Sequence, residues 1–172
     1  AGAGGGADAV RAAEKGVDVT CIALAPNMLA KVESKMRRAN VKAELICGDL
    51  LKHDRSGQYD VVCANYFLNV FTPEVMAVML DHLVSLVKPG GYLLVADFAV
   101  PRGNPLFKAL HILYYRIANV LYWAISKNGL HPIYDYARIL PEHGLKLDTI
   151  ARHRLFPGGP TYFQTAVASK PA

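Results

Sequence analysis

Short apolar runs alternate with amphipathic stretches along the first hundred residues of the chain. Asp18-Val19-Thr20-Cys21-Ile22-Ala23-Leu24 is β-branched and apolar, the pattern of a buried strand. Residues 43–47, 59–64 and 91–98 read as further strands. Between them lie helical patterns. Residues 7–15 carry good helix formers and close at Gly16. Ala25-Pro26-Asn27 turns into a helix whose inner face is Met28, Leu29 and Val32. Residues 73–87 repeat apolar side chains at helical spacing: Val75, Met76, Met79, Leu80, Leu83, Val84 and Val87. Lys88-Pro89-Gly90-Gly91 then reads as a sharp turn that stops the helix.

Beyond Phe98 the pattern changes. After the loop at 101–105, residues 106–126 read as one long helix. Its polar side chains Lys108, His111, Arg116, Asn119 and Ser126 fall within an arc of roughly 140°. The apolar remainder is wider than a helix needs to rest on a sheet. It suits a packed helix, a lid over an apolar substrate, or a surface for a membrane or partner. A further helix is expected from about Leu130 to His143, capped by Gly144. Residues 145–154 and 161–169 read as closing strands of a hairpin around 156–160.

Strand–helix alternation with short connections predicts an α/β fold: a Rossmann-like, doubly wound, mostly parallel sheet with a C-terminal antiparallel hairpin. In such sheets ligands bind outside the carboxyl ends of the strands. Those ends are Ala23-Leu24, Gly48-Asp49, Asn65-Tyr66 and Asp97-Phe98. A single domain is expected over 1–172: a cofactor-binding part at 1–100, lid and substrate-determining helices at 101–144, and closing strands at 145–172. The first six residues, Ala1-Gly2-Ala3-Gly4-Gly5-Gly6, lead straight into a helix and form an anion- or nucleotide-receiving turn. No strand precedes this turn, so the pattern reads as a domain cut at its first βα turn. The neighbours of that first strand are expected to lack a pairing partner.

Composition narrows the classes. The net charge of +5 comes from scattered bases, with one cluster at Lys31, Lys35, Arg37 and Arg38 that reads as a solvated helix face; no nucleic-acid surface is expected. Three cysteines, Cys21, Cys47 and Cys63, sit in apolar strands at spacings that match no zinc motif. They read as small core residues of a reducing, cytoplasmic setting, with no metal site. The charged and polar residues inside 106–125 argue against a membrane span, while peripheral association stays open.

At this point the motifs resemble, in order and spacing, those of class I S-adenosylmethionine-dependent methyltransferases. The small-molecule enzymes related to the ubiquinone and menaquinone C-methyltransferases are the nearest likeness. Gly2-x-Gly4-x-Gly6 resembles the family's glycine loop, Leu24-Ala25-Pro26-Asn27-Met28-Leu29 the turn after its second strand, and Gly48-Asp49-Leu50 its third motif. Tyr59-Asp60-Val61-Val62 with Asn65 resembles its fourth strand, and Leu86-Val87-Lys88-Pro89-Gly90-Gly91 the turn before its fifth. The match runs from Gly2 to about Val100; the remainder agrees in layout only.

The resemblance implies S-adenosylmethionine as cofactor and transfer of its methyl group to a small acceptor. It puts Gly2 and Gly4, with Ala1 beside them, against the methionine end of the cofactor. Asp49 is implied to accept from the adenine amino group, Leu50 to supply the adjacent backbone contact, Met28 to pack on the adenine face, and Asn65 to line the sulfonium region. Ala23 and Leu24 end the strand beside the ribose. Here the chain departs from the family, which usually carries an acid where Ala23 stands. Loss of that charge-assisted acceptor corresponds to roughly ten- to a hundred-fold in affinity. The family's acid two positions before its first glycine has no counterpart in this chain.

No constellation names a general base, which is needed only if the acceptor atom starts protonated. His131 and Tyr134 are the candidates, and Tyr66 and Asn69, after the fourth strand, are candidates for lining an apolar or aromatic acceptor. Two rivals compete. A nicotinamide-dependent oxidoreductase fits Gly2-Ala3-Gly4-Gly5-Gly6-Ala7 but leaves the third and fifth motifs unexplained. A non-catalytic binding or partner module keeps the fold and accounts for Ala23.

Overall fold

The computed structural model describes residues 4–102, 104–126, 132–154 and 161–172. The chain divides into two compact units, Ala1–Arg55 and Ser56–Ala172.

The first unit holds helix α1 (Ala7–Glu14), strand β1 (Thr20–Ala23), helix α2 (Pro26–Arg38) and strand β2 (Glu44–Cys47). β1 and β2 run parallel, with Thr20 opposite Glu44 and Ala23 opposite Cys47. The buried residues Cys21, Ala23, Leu29, Val32 and Met36 form its core, with Val10, Ala13 and Leu45 packed against them. Pro26 sits in the first turn of α2, where its missing N–H costs nothing. Gly6 takes φ +71° ahead of α1, and a Cβ there would lie 2.9 Å from Cγ2 of Val32. The glycine therefore serves the packing of the loop on α2. At the end of the unit Arg55 and Glu44 pair through both guanidinium nitrogens, and this holds the Glu44 carboxyl below its usual range.

The second unit holds β3 (Tyr59–Asn65), α3 (Pro73–Leu86), β4 (Val87–Phe98), α4 (Pro105–Ser126), α5 (Tyr136–Glu142), β5 (Lys146–Arg154) and β6 (Thr161–Ser169). Its sheet has the order β3-β4-β6-β5, with β3 and β4 parallel and the other two pairs antiparallel. The expected α/β arrangement with a closing antiparallel hairpin is present, but the expected single, mostly parallel sheet is instead two sheets among the described residues, with two parallel and two antiparallel pairings. β1 and β3, each at a sheet edge, pair on one side only among the described residues.

The core of this unit is built on the buried face of α3 (Met76, Met79, Leu80, Leu83, Leu86), with Leu93 and Val95 of β4, Leu140 of α5, and Ala166 and Ala168 of β6. Val75, counted with the inner face from its spacing, is exposed instead. Lys170 donates to the carbonyls of Val84 and Val87, both at 2.9 Å, satisfying the last turn of α3.

Three local expectations are corrected. The Lys88-Pro89-Gly90-Gly91 turn is part of β4, because Gly90 N–H donates to the Lys170 carbonyl and Lys170 N–H to the Gly91 carbonyl. α5 begins at Tyr136 rather than near Leu130. Cys21 is buried as expected, but Cys47 and Cys63 are exposed. Alternation explains Cys63: Val62 and Ala64 take the covered face of β3, which leaves Val61 and Cys63 on the other. The expected turn at 156–160 lies outside the described residues.

Candidate functional site

In the first unit the parallel register brings the carboxyl ends of β1 and β2 side by side. Gly48 N–H donates to the Ala23 carbonyl at 3.1 Å, and Cys47 Sγ reaches the Leu24 carbonyl at 3.7 Å. Ala23, Leu24, Gly48 and Asp49 therefore form one rim. Leu24 is largely exposed on it, whereas Ala23 is buried and offers no side-chain acceptor. Asp49 caps the 3-10 turn Leu50–Lys52 through Oδ1, which accepts from Leu51 N–H at 3.0 Å. Leu50 is buried behind it, and Met28 packs in part on the β1–α2 core. Gly4 has φ +48°, a left-handed conformation that suits glycine. The α1 N-terminus at Gly6 has no side-chain cap hydrogen bond. Ala1 and Gly2 lie outside the described residues, as does His131.

In the second unit the carboxyl ends of β3 and β4 are likewise adjacent, with Asn65 opposite Ala96. Tyr66 follows with φ +51°, a conformation uncommon outside glycine, held by its N–H donating to the Ala96 carbonyl at 2.8 Å. Its ring meets Phe98 and Phe163 edge-on, at centroid distances of 5.8 and 6.1 Å. Asn69 lies in a 3-10 turn, Leu68–Val70, with its Oδ1 buried and unpartnered among the described residues. Tyr134 donates to the Phe71 carbonyl, two residues further on, at 2.6 Å. Burial pushes the Tyr134 phenol up to about 12, so at neutral pH it keeps its proton and serves as a donor.

A pair that residue patterns did not single out lies at the end of β4. Asp97, only 2% exposed, accepts from the Tyr136 hydroxyl at 2.5 Å and from Phe98 N–H at 2.7 Å. Burial raises its carboxyl to about 6, against the lowering effect of these two donors. The same burial, with the Asp97 charge beside it, drives the Tyr136 phenol far up. Gln164 ties the surroundings together, donating to the Phe98 carbonyl at 2.8 Å and the Tyr134 carbonyl at 3.0 Å. The strand-end position of Asp97 was a signal in the sequence. Its partner, 39 residues away, was not.

Beside this network a cleft of about 650 Å³ opens between α4 and the segments at 100–101 and 132–133. Val100, Ile112 and Ile133 give it an apolar lining, and Tyr115, Arg116 and Asn119 supply the polar groups. Such a lining, mostly apolar with a few placed polar atoms, is the usual character of a small-molecule site. Among the described residues no cluster of histidine, cysteine, aspartate or glutamate has the makings of a metal site.

Comparison with known proteins agrees with this layout. The family model described as "Methyltransferase domain" matches residues 1–91. A demethylmenaquinone methyltransferase of Beutenbergia cavernae is 32% identical over 136 residues, covering 78% of this chain and 53% of that protein. The chain thus spans about half the length of that curated relative. Among solved structures, a SAM-dependent methyltransferase of Methanosarcina mazei superposes with a TM-score of 0.72 at 17% identity, covering 99% of this chain and 90% of the other. The magnesium protoporphyrin IX methyltransferase of Synechocystis, solved with bound SAH, gives a TM-score of 0.71 at 19% identity, covering 98% and 71%. At such identities the structures speak for the fold, and the family match runs over the carboxyl ends of β1, β2 and β3. The chain belongs to the methyltransferase-domain family, within the class I S-adenosylmethionine-dependent methyltransferases.

Proposed function

We propose that this chain contributes to S-adenosylmethionine-dependent methyl transfer to a small apolar or aromatic acceptor. The observation that carries the reading is the placing of the family's motif residues at the carboxyl ends of parallel strands in each unit, where open α/β sheets bind ligands. The residues present fit the cofactor in part. Asp49 Oδ2 would accept from the adenine amino group, Leu50 would contribute backbone, and the N–H groups of the Gly4–Gly6 loop would receive the carboxylate end. Ala1, Gly2, Met28 and Asn65 keep the roles that the resemblance implies. Ala23 supplies no acceptor for the ribose hydroxyls, and weaker binding follows from that.

When bound, the sulfonium supplies an electrophilic methyl group; the chain's task is to align the acceptor and exclude water. The apolar cleft beside α4 supports an apolar or aromatic acceptor, and Arg116 and Asn119 would orient a polar substituent on it. Tyr66 and Asn69 are proposed to border that acceptor, Asn69 through its unpartnered oxygen. With its proton held and donated to Phe71, Tyr134 is proposed as a support for this wall.

The test is calorimetric titration of S-adenosylhomocysteine into the folded chain and into Ala23→Asp. Binding in the micromolar range or weaker, tightened about ten- to a hundred-fold by the substitution, is the expected result. No binding by either folded form would overturn the reading and leave a non-catalytic binding module in its place.

A further inference from the structure

Among the described residues that line the cleft beside α4, a single side chain carries a formal charge, and it is the guanidinium of Arg116. No carboxylate pairs with it among the described residues. The acids on the segments that flank the cleft do not reach its lining. Asp135, two residues beyond Ile133, faces Arg102 at 3.9 Å. Asp97 is buried, and its two oxygens already accept from Phe98 N–H and the Tyr136 hydroxyl. A cation entering the cleft would therefore lose water without gaining a carboxylate. An anion would gain Arg116, whose planar fork of donors matches the oxygens of a carboxylate.

Shape gives the rest. The two wall segments contribute Pro101 and Pro132, and α4 contributes Tyr115, all with little rotamer freedom to lose. The Tyr115 ring is fixed edge-on to Phe98 at a centroid distance of 5.2 Å, and Asn119, one turn along the helix, hydrogen-bonds its phenol. Gln164 holds the walls in register. Its amide donates to the carbonyls of Phe98, at 2.8 Å, and Tyr134, at 3.0 Å, and these residues bound the two wall segments. The cleft is thus preformed, apolar over most of its lining, cationic at one point, and of a volume that suits a small molecule.

We propose that this cleft takes a planar aromatic monoanion, its ring against Tyr115 and Ile133 and its anionic oxygens on Arg116. The inference rests on the reading of the cleft as the acceptor site, and it narrows that acceptor to an aromatic with one acidic oxygen group.

Three naphthalenes of similar shape test it by fluorescence titration into the full chain without cofactor: 2-naphthoate, 2-naphthylmethanol and 2-naphthylmethylammonium. Naphthoate is expected to bind about tenfold more tightly than the alcohol, with the ammonium weakest, and to weaken as salt is raised. Arg116→Gln, at an exposed position, is expected to lower naphthoate affinity about tenfold, to the level of the alcohol. Affinity for the alcohol and the unfolding transition should not move. Ile112→Trp, exposed and on the lining, is expected to block all three ligands by filling the cleft. Alcohol binding as tight as that of naphthoate overturns the anionic assignment. A naphthoate preference that Arg116→Gln retains overturns the assignment to that residue. Binding that Ile112→Trp leaves intact puts the ring elsewhere, on the outer face of α4 where Leu113 and Leu121 are exposed, and overturns the proposal, as does no binding by any of the three. The S-adenosylhomocysteine titration reads the methyl-transfer proposal separately, so either can fail alone.

Discussion

The substitution Asp97→Asn isolates the energetics of the buried pair at the end of β4. In the folded chain the Asp97 carboxyl titrates at about 6, raised by burial despite the donors Tyr136 and Phe98. An unfolded aspartate titrates near 3.9, so the shift is about two units, or about 3 kcal/mol. The folded state binds this proton more tightly than the unfolded state does. Its contribution is therefore fully present below about pH 4 and is lost as pH rises through about 6. The amide of the variant cannot titrate. Its carbonyl can still accept from Tyr136, and any change of fit enters as a constant offset. Urea unfolding of both proteins at a series of pH values from about 4 to 7.5 gives the difference in stability, parent minus variant. That difference should fall by up to about 3 kcal/mol across the range, even though other carboxylates alter both curves in parallel. Glu44 and Asp60, both held low by cationic partners, act in the opposite direction, and the subtraction removes them. A difference that stays flat with pH, or that rises, would refute the assignment of a raised carboxyl at Asp97.

Tyr136→Phe removes the 2.5 Å donor from the same buried carboxyl, so it should cost about 1–3 kcal/mol near neutral pH and steepen the pH dependence over the window just given; urea unfolding at two pH values reads both. Gly6→Ala introduces a Cβ 2.9 Å from Val32 at φ +71°, and about 2 kcal/mol of destabilisation is expected, with the loss visible in the first unit by amide exchange. Leu83→Ala empties a site with no solvent exposure on the buried face of α3 and should cost about 2–5 kcal/mol in a denaturant titration.

Much of the fold was legible because local chemistry and burial point the same way. β-branched runs at 18–24 and 59–64, Pro26 at the start of α2 and the repeat of apolar residues from 76 to 83 each specify an element whose period matches its packing. Lys88-Pro89-Gly90-Gly91 was misread for a physical reason. Its glycines signal a turn, but the hydrogen bonds that draw it into β4 come from Lys170, eighty residues away. Cys63 was misplaced because an apolar run reveals period but not which face the rest of the chain will cover.

The candidate site divides along the same line. Gly48-Asp49-Leu50 and the glycine loop are contiguous motifs, so residue order alone reveals them; the capping role of Asp49 is equally local. Asp97 with Tyr136, Gln164 bridging two backbone carbonyls, the unpartnered Asn69 oxygen and the apolar cleft are all assembled from segments 30 to 66 residues apart or from surface left over after packing.

By itself the sequence determined the element types, the strand ends and the family motifs, because these depend on interactions within a few residues. The tertiary structure decided which strands share a sheet, which carboxyl is buried deeply enough to hold its proton near neutrality, and which face of α4 stays bare. Those outcomes depend on desolvation by distant segments, which no short stretch of chain encodes.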